Sequence, residues 1–343
     1  MVEAPLKRVG DLEDLAGLRV LVFGAGGGGD ALGAVHLYRR LERIGAEPVL
    51  GSIVWERRVV DPTPGPIPVW AIEGSQRLAE HAAIVRGWER VERQGVRFTP
   101  QIVRAARALG VEAVALGVDG GSMGLAEALD TLARFYGLDA IIALDSGGDA
   151  LATGCEEDLW SPLADAVSLS SLLDVKVDVK LLAVHGYGVD GELPRSYVLK
   201  RIADVAREGG LVAFTGITRL DAELLENMER DFVSEASKAP LWAFRGEWGE
   251  RSIRGGTRVV ELDPLQATTA IMDVDKVASI TSLPHSVAGS RSIYEANARL
   301  NERCIYTELN LEEDLARHPG LSAVEARSRG RSLLRRLGCR PLC

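Results

Sequence analysis

Six stretches of this chain are continuous apolar runs of strand length: "RVLVFG" (19–24), "PVLGSIV" (48–54), "EAVALGV" (112–118), "AIIALD" (140–145), "KLLAVHG" (180–186) and "LVAFTGI" (211–217), with "TRVVEL" (257–262) as a seventh candidate. Such runs suit strands buried on both faces. Between them lie segments of helical period, from Asp30 to just before Gly45 and over Pro100–Leu109, Leu125–Tyr136, Pro162–Leu173, Ser196–Arg207 and Leu220–Ala236. Parallel strands require crossover connections of that length, so the alternation predicts an α/β fold: a doubly wound, mostly parallel sheet of about six or seven strands with helices on both faces (Rossmann-like). After about residue 240 the alternation weakens, and "WAFRGEWGERSIRGG" reads as irregular. A smaller C-terminal helical region follows, with helices expected over 288–301 and 321–337 and Leu333, Leu334 and Leu337 forming the docking side of the last one. The expected organisation is a core over 1–240 and an extension over 241–343, packed on the core or continuous with it.

The first strand runs straight into glycine at Gly24, Gly26, Gly27, Gly28 and Gly29, followed by Asp30. At a strand-to-helix turn, missing side chains let a ligand approach backbone N–H groups and the positive end of the helix dipole. Gly24, Gly26 and Gly29 also satisfy G-x-G-x-x-G, for which the acid expected about 20 residues later has Glu56 as a loose match. Two further acidic glycine turns follow apolar runs: "DGGSMG" with Asp119, Gly120, Gly121 and Ser122, and "SGGDALATG" with Ser146, Gly147, Gly148 and Asp149, directly after Asp145. In a parallel sheet all three turns lie at the carboxyl edge, where α/β proteins bind ligands.

The carboxylates narrow the ligand. Two like charges about 4 Å apart repel by roughly 4 kcal/mol at an effective dielectric near 20, so a bare phosphate is disfavoured beside them. Mg²⁺ bridging carboxylates and phosphate, ribose or sugar hydroxyls donating to the carboxylates, or a substrate amine each removes the conflict. Asp119, Asp145 and Asp149 are the candidate metal ligands and catalytic carboxylates, with His185 at the end of its own strand as a candidate acid or base. Ser161-Pro162 has the pattern of a helix cap. His285 and Arg291 share a loop and form a weaker candidate for meeting a substrate anion, and the proline-rich loop 61–70 is either a surface connection or a wall of the cleft. No G-x-S-x-G elbow and no G-K-[ST] is present, which argues against a hydrolase triad and P-loop chemistry.

A net charge of −9 without a clustered basic face excludes nucleic acid as the main partner, and the absence of an apolar stretch approaching 18 residues excludes a membrane span. Acids in the N-terminal stretch, where a signal peptide has its apolar centre, make a cytoplasmic location the expectation. Cys155, Cys304, Cys339 and Cys343 contain no C-x-x-C pair, so zinc is disfavoured; Cys339 and Cys343 are open to being free thiols or disulfide partners.

"VFGAGGGGDALGA", "GSIVWERRVVDPTPGPIP" and "ALDSGGDALATG…EEDLWSPLADA" together resemble the largely archaeal family called domain of unknown function 1152. The resemblance spans most of the chain and implies no activity. Met123 stands where the family pattern often has a further acid, which would weaken a metal site centred on Asp119.

The expected function is a small-molecule metabolic enzyme that binds a nucleotide or phosphorylated ligand at its glycine-rich turns, assisted by Mg²⁺ on the aspartates. The alternatives are an NAD(P)- or S-adenosylmethionine-dependent enzyme, with Glu56 or an aspartate on the ribose, and a non-catalytic nucleotide or metabolite sensor. The expected partner is a small-molecule ligand, and a homo-oligomer is left open.

Overall fold

The computed structural model describes residues 9–343; the first eight, part of the stretch read for a leader, lie outside the described residues. Nine strands form one sheet: β1 (Arg19–Gly24), β2 (Glu47–Ile53), β3 (Gln76–Ala79), β4 (Ala82–Val85), β5 (Ala113–Leu116), β6 (Ala140–Ser146), β7 (Val179–His185), β8 (Leu211–Gly216) and β9 (Thr268–Asp273). Their spatial order is β8-β9-β7-β6-β1-β2-β5-β4-β3. The five central strands pair in parallel, in register Val20↔Ala140 and Val20↔Pro48 around β1. Antiparallel pairs flank them: β9 enters between β7 and β8, and β4 and β3 extend the other edge.

All six apolar runs are strands, and the count of six or seven becomes nine because β3, β4 and β9 also join the sheet. The seventh candidate, "TRVVEL", pairs instead with Gly249–Ile253 as a separate hairpin. Residues 268–273 therefore place part of the stretch assigned to the extension inside the sheet.

Twelve α-helices accompany the strands among the described residues. They are α1 (Asp30–Arg43), α2 (Gln101–Leu109), α3 (Gly121–Tyr136), α4 (Pro162–Asp174), α5 (Arg195–Arg207), α6 (Arg219–Met228), α7 (Glu235–Phe244), α8 (Val274–Ile280), α9 (Leu283–Val287), α10 (Ile293–Asn301), α11 (Glu308–Arg317) and α12 (Ala323–Arg336). β1 shows how the sheet serves two cores: Val20 and Val22 pack with apolar residues of α1 and α2, whereas Leu21 and Phe23 pack with those of α3 and α4. No described helix is long and apolar enough to cross a membrane.

Two helix expectations are corrected. Leu220–Ala236 is broken, because Ser234 caps a new helix by accepting from the Ser237 N–H. The last helix docks through Ala326, Arg327 and Gly330, with Tyr306 seated on Gly330, and leaves Leu333 and Leu337 exposed. Arg327 donates to the carbonyls of Glu157 and Leu159. All four cysteines pair, Cys155 with Cys343 and Cys304 with Cys339, at Cα separations of 6.0 and 5.1 Å.

Candidate functional site

Because β1, β6 and β7 are neighbours, the turns at their carboxyl ends meet. Around them opens a cavity of about 490 Å³, closed by the first turn of α4, the segment Trp55–Val59, the start of α7, the loop before the 258–262 strand, and α11. The volume suits a small organic ligand.

Its floor is acidic. Asp30, Asp145 and Asp165 each bring one carboxylate oxygen within 4.8 Å of the others, and so do Asp149, Asp190 and Glu192. Asp30 begins α1 and accepts from the N–H groups of Gly26 (2.7 Å) and Ser146 (3.0 Å). Asp145 accepts from the Ala150 N–H at 3.0 Å. Asp165 lies in the first turn of α4, which is anchored by Glu308: its two oxygens accept from the Leu163 and Ala164 N–H groups at 3.1 and 2.9 Å. Among the described residues Asp165 itself accepts no hydrogen bond, and its Oδ1 is fully buried without a partner.

Crowding and burial make these groups reluctant to ionise. Burial pushes Asp30 up to about 6 against its two backbone donors. Burial and the charges of Asp30 and Asp190 push Asp145 up to about 8. Asp149 and Asp165 are pushed well above the usual carboxylate range, by burial and then by the neighbouring aspartates. Glu192 is the exception: although burial opposes ionisation, Arg254 and Arg258 hold it below its ordinary value.

The opposite wall is cationic. Arg254 pairs with Glu192 at 3.4 Å. Arg258 stacks on the Trp160 ring at 3.7 Å, and its Nε is buried without an acceptor. Arg57 makes no ion pair among the described residues, and the charge of Arg254, together with burial, pulls it down to about 10.

Of the residues singled out from sequence, Gly26, Gly27, Gly28, Gly29, Asp30, Glu56, Asp145, Ser146 and Asp149 line the cavity. The second turn does not reach it. β5 stands two strands from β1, about 10 Å away at ordinary strand spacing, with β2 between. Asp119 contacts His81 there (Oδ1 to Nδ1, 3.2 Å), and Gly120 lies against the same ring. Gly121 and Ser122 pack on the 287–290 loop, the Ser122 N–H donating to Ser290 Oγ at 3.0 Å. Asp119 is thus separated from the other two candidate metal ligands, Asp145 and Asp149, which themselves fall in different acidic groups.

Other expected site residues have structural partners. Gly24 sits under the Asp30 backbone, and Gly147 and Gly148 pack against Asp190 and Val198. Fully buried His185 shares a 2.7 Å hydrogen bond with Thr269 and stacks on His36 with ring centres 4.9 Å apart. Burial and His36 push its imidazole well below the usual range, so it is neutral. Glu56 accepts from the Gln101 N–H at 2.7 Å, at the start of α2. Ser161 makes no cap bond; its hydroxyl donates to Glu192 at 2.6 Å and lies 3.3 Å from Asp149. His285 contacts the Ala278 carbonyl, the Arg291 N–H donates to Glu295 at 2.8 Å, and neither residue lines the cavity. None of the proline-rich loop lines the cavity; Asp61, Gly65, Pro66, Ile67 and Val69 in it are buried, and Arg93 holds it by pairing with Asp61 at 2.6 Å and donating to the Gly65 and Pro66 carbonyls.

Asp165, Asp190, Glu192, Glu308, Arg57, Arg254 and Arg258 are the cavity residues that the sequence reading missed. Asp190 carried a usable signal, because "GYGVDGELP" is also a strand-to-helix turn.

Among known proteins, no curated protein and no solved structure matches the chain. The family model described as protein of unknown function, DUF1152, matches residues 21–316, and the chain belongs to that family.

Proposed function

We propose that this cavity is the active site of a divalent-cation-assisted enzyme acting on a phosphorylated small molecule, nucleotides included. The observation that carries the reading is a pair of unmet charges of opposite sign facing one space. Among the described residues Asp165 accepts no hydrogen bond, with its Oδ1 orphaned, and Arg57 and Arg258 make no side-chain hydrogen bond or ion pair. A metal–phosphate ligand satisfies both, since the cation meets the carboxylates and the phosphoryl oxygens meet the guanidinium groups. A bare anion would face the acidic floor, and a bare cation would leave the arginines unpaired. The N–H groups of Gly27, Gly28 and Gly29, which donate to no protein acceptor among the described residues, add donors of the kind phosphate accepts at a helix start.

When bound, the cation supplies charge neutralisation for the phosphoryl group. The carboxylates of the cavity floor, in one or other of the two acidic groups, are the residues that would hold it. The arginines of the opposite wall would meet the phosphoryl oxygens, and Asp149, beside the Ser161 hydroxyl and held well above the usual carboxylate range, is placed to donate a proton. We also read the parallel block as a doubly wound, Rossmann-like core, with the site between β1 and β6, where the order of strand addition reverses.

Phosphate release from a panel of nucleotides, sugar phosphates and phosphate diesters, with Mg²⁺ and with EDTA, tests the reading. Turnover that requires Mg²⁺ and is lost in Asp145→Asn supports it. Saturable binding without turnover of any bound ligand would identify a sensor instead.

A further inference from the structure

We infer that the cavity takes a single divalent cation, on Asp30, Asp145 and Asp165, and that Arg57 and Arg258 form a separate phosphoryl-oxygen subsite across from it. The inference rests on the proposed function for its ligand class and goes beyond it in separating two acidic groups that look alike by composition.

The separation comes from lone-pair accounting. A carboxylate offers about four acceptor positions. Glu192 has filled its own: Oε2 accepts from the N–H groups of Trp160 (2.7 Å) and Ser161 (2.9 Å), and Oε1 accepts from the Ser161 hydroxyl (2.6 Å) and Arg254 (3.4 Å). A cation placed on Asp149, Asp190 and Glu192 would have to displace these donors, and Arg254 already supplies the positive charge. The other group is open. Asp165 accepts nothing, with one oxygen buried and orphaned, Asp145 has one protein donor, and each oxygen of Asp30 accepts a single N–H.

Gly26 gives independent support. A Cβ there would stand 2.8 Å from Asp30 Oδ2 and 2.9 Å from Asp165 Oδ2, so the glycine keeps clear the space between two buried carboxylates. Two like-charged oxygens converging on a space kept free of side chain make a cradle for a cation.

The arginine subsite has its own observation. Arg258 is 9% exposed, makes no side-chain hydrogen bond or ion pair among the described residues although the charges of Glu192 and Asp190 act on it, and spends its face on Trp160, which leaves the N–H edge for a planar or tetrahedral anion. Arg57 likewise makes no ion pair among the described residues, whereas Arg254 pairs with Glu192.

The test is titration of the full chain with Mn²⁺, by calorimetry and by the loss of the free-ion paramagnetic resonance signal, followed by inorganic pyrophosphate added to the Mn²⁺ form. We expect one ion per chain. Asp165→Asn should weaken Mn²⁺ by more than about a hundredfold, beyond the loss typical of an outer-shell partner, while Glu192→Gln keeps one ion. Arg57→Met and Arg258→Met should each weaken pyrophosphate by about tenfold or more, as loss of a charge-assisted hydrogen bond does, with Mn²⁺ affinity unchanged. Two ions per chain, no ion at all, or an ion that survives Asp165→Asn and is lost in Glu192→Gln overturns the assignment. Thermal unfolding of each variant separates lost binding from lost fold. The readouts need no turnover, so one bound Mn²⁺ on a chain inert toward every phosphate ester would sink the enzyme reading and leave this one standing.

Discussion

Asp30 and Asp165, distant in sequence, point their Oδ2 atoms at the same glycine: a methyl group on Gly26 would lie within 3.0 Å of both. The φ of Gly26 is not in the left-handed region, so the glycine is required by that approach and not by backbone strain. Gly26→Ala is therefore expected to drive the two carboxylates apart and weaken Mn²⁺ binding by at least about tenfold, with a stability loss on the order of 1–3 kcal/mol from overpacking. Calorimetric titration and denaturant unfolding of the same sample measure the two effects separately.

Asp145 and Asp119 were equal candidates as metal ligands, and the fold separates them. Asp145→Asn should abolish detectable Mn²⁺ binding. Asp119→Asn should leave it unchanged and cost under about 1 kcal/mol, because Asp119 meets only the part-exposed His81 at 3.2 Å. Equal losses in both variants would contradict this assignment.

Glu56 gives a pH signature. Its folded value is raised to about 7, chiefly by burial, from an ordinary 4.5, so the fold favours the neutral form. Its stabilising contribution is present in full below about pH 4.5 and is lost as pH rises through about 7. Glu56→Gln keeps an acceptor for the Gln101 N–H and removes the ionisation. Between about pH 4 and pH 8 the variant should gain on the order of 3 kcal/mol relative to the parent chain, read from urea unfolding at each pH.

His185 bonds Thr269 and stacks on His36, away from the cavity. His185→Gln should lower stability by about 1–3 kcal/mol and leave Mn²⁺ affinity and its pH dependence as they were. A changed pH profile of Mn²⁺ binding would restore the histidine to the site.

The parts of the fold that could be read from sequence were those carried by local pattern. Continuous apolar runs located the five parallel strands, buried on both faces, and the antiparallel edge strand β8, whereas β3 is a short edge strand with two exposed polar residues and β9 enters antiparallel from far along the chain. Leu220–Ala236 looked continuous because Phe232 prolongs the apolar period, and Ser234 broke it by capping.

For the site, Asp30, Asp145 and Asp149 were visible because they follow apolar runs at glycine turns. Asp119 shares that pattern, but spatial strand order is not written in local sequence, and β2 stands between. Asp165 resembles any acid in a helix's first turn, and Arg57, Arg254 and Arg258 are unremarkable in an arginine-rich chain; only the tertiary fold gathers them round one cavity and leaves Asp165 and Arg258 with orphaned polar atoms.

The central claim is that cation and phosphate enter this cavity together, and thermal unfolding with ATP, ADP, NAD⁺, NADP⁺ and S-adenosylmethionine, each with and without Mg²⁺, tests it most directly. The shift grows as RT ln(1 + [L]/Kd), so at a hundredfold excess over Kd it is worth about 2.7 kcal/mol. We predict stabilisation by a phosphate-bearing nucleotide only when Mg²⁺ is present, lost in Asp165→Asn. Stabilisation by a dinucleotide or S-adenosylmethionine without metal, unaltered in Asp165→Asn, would contradict the account.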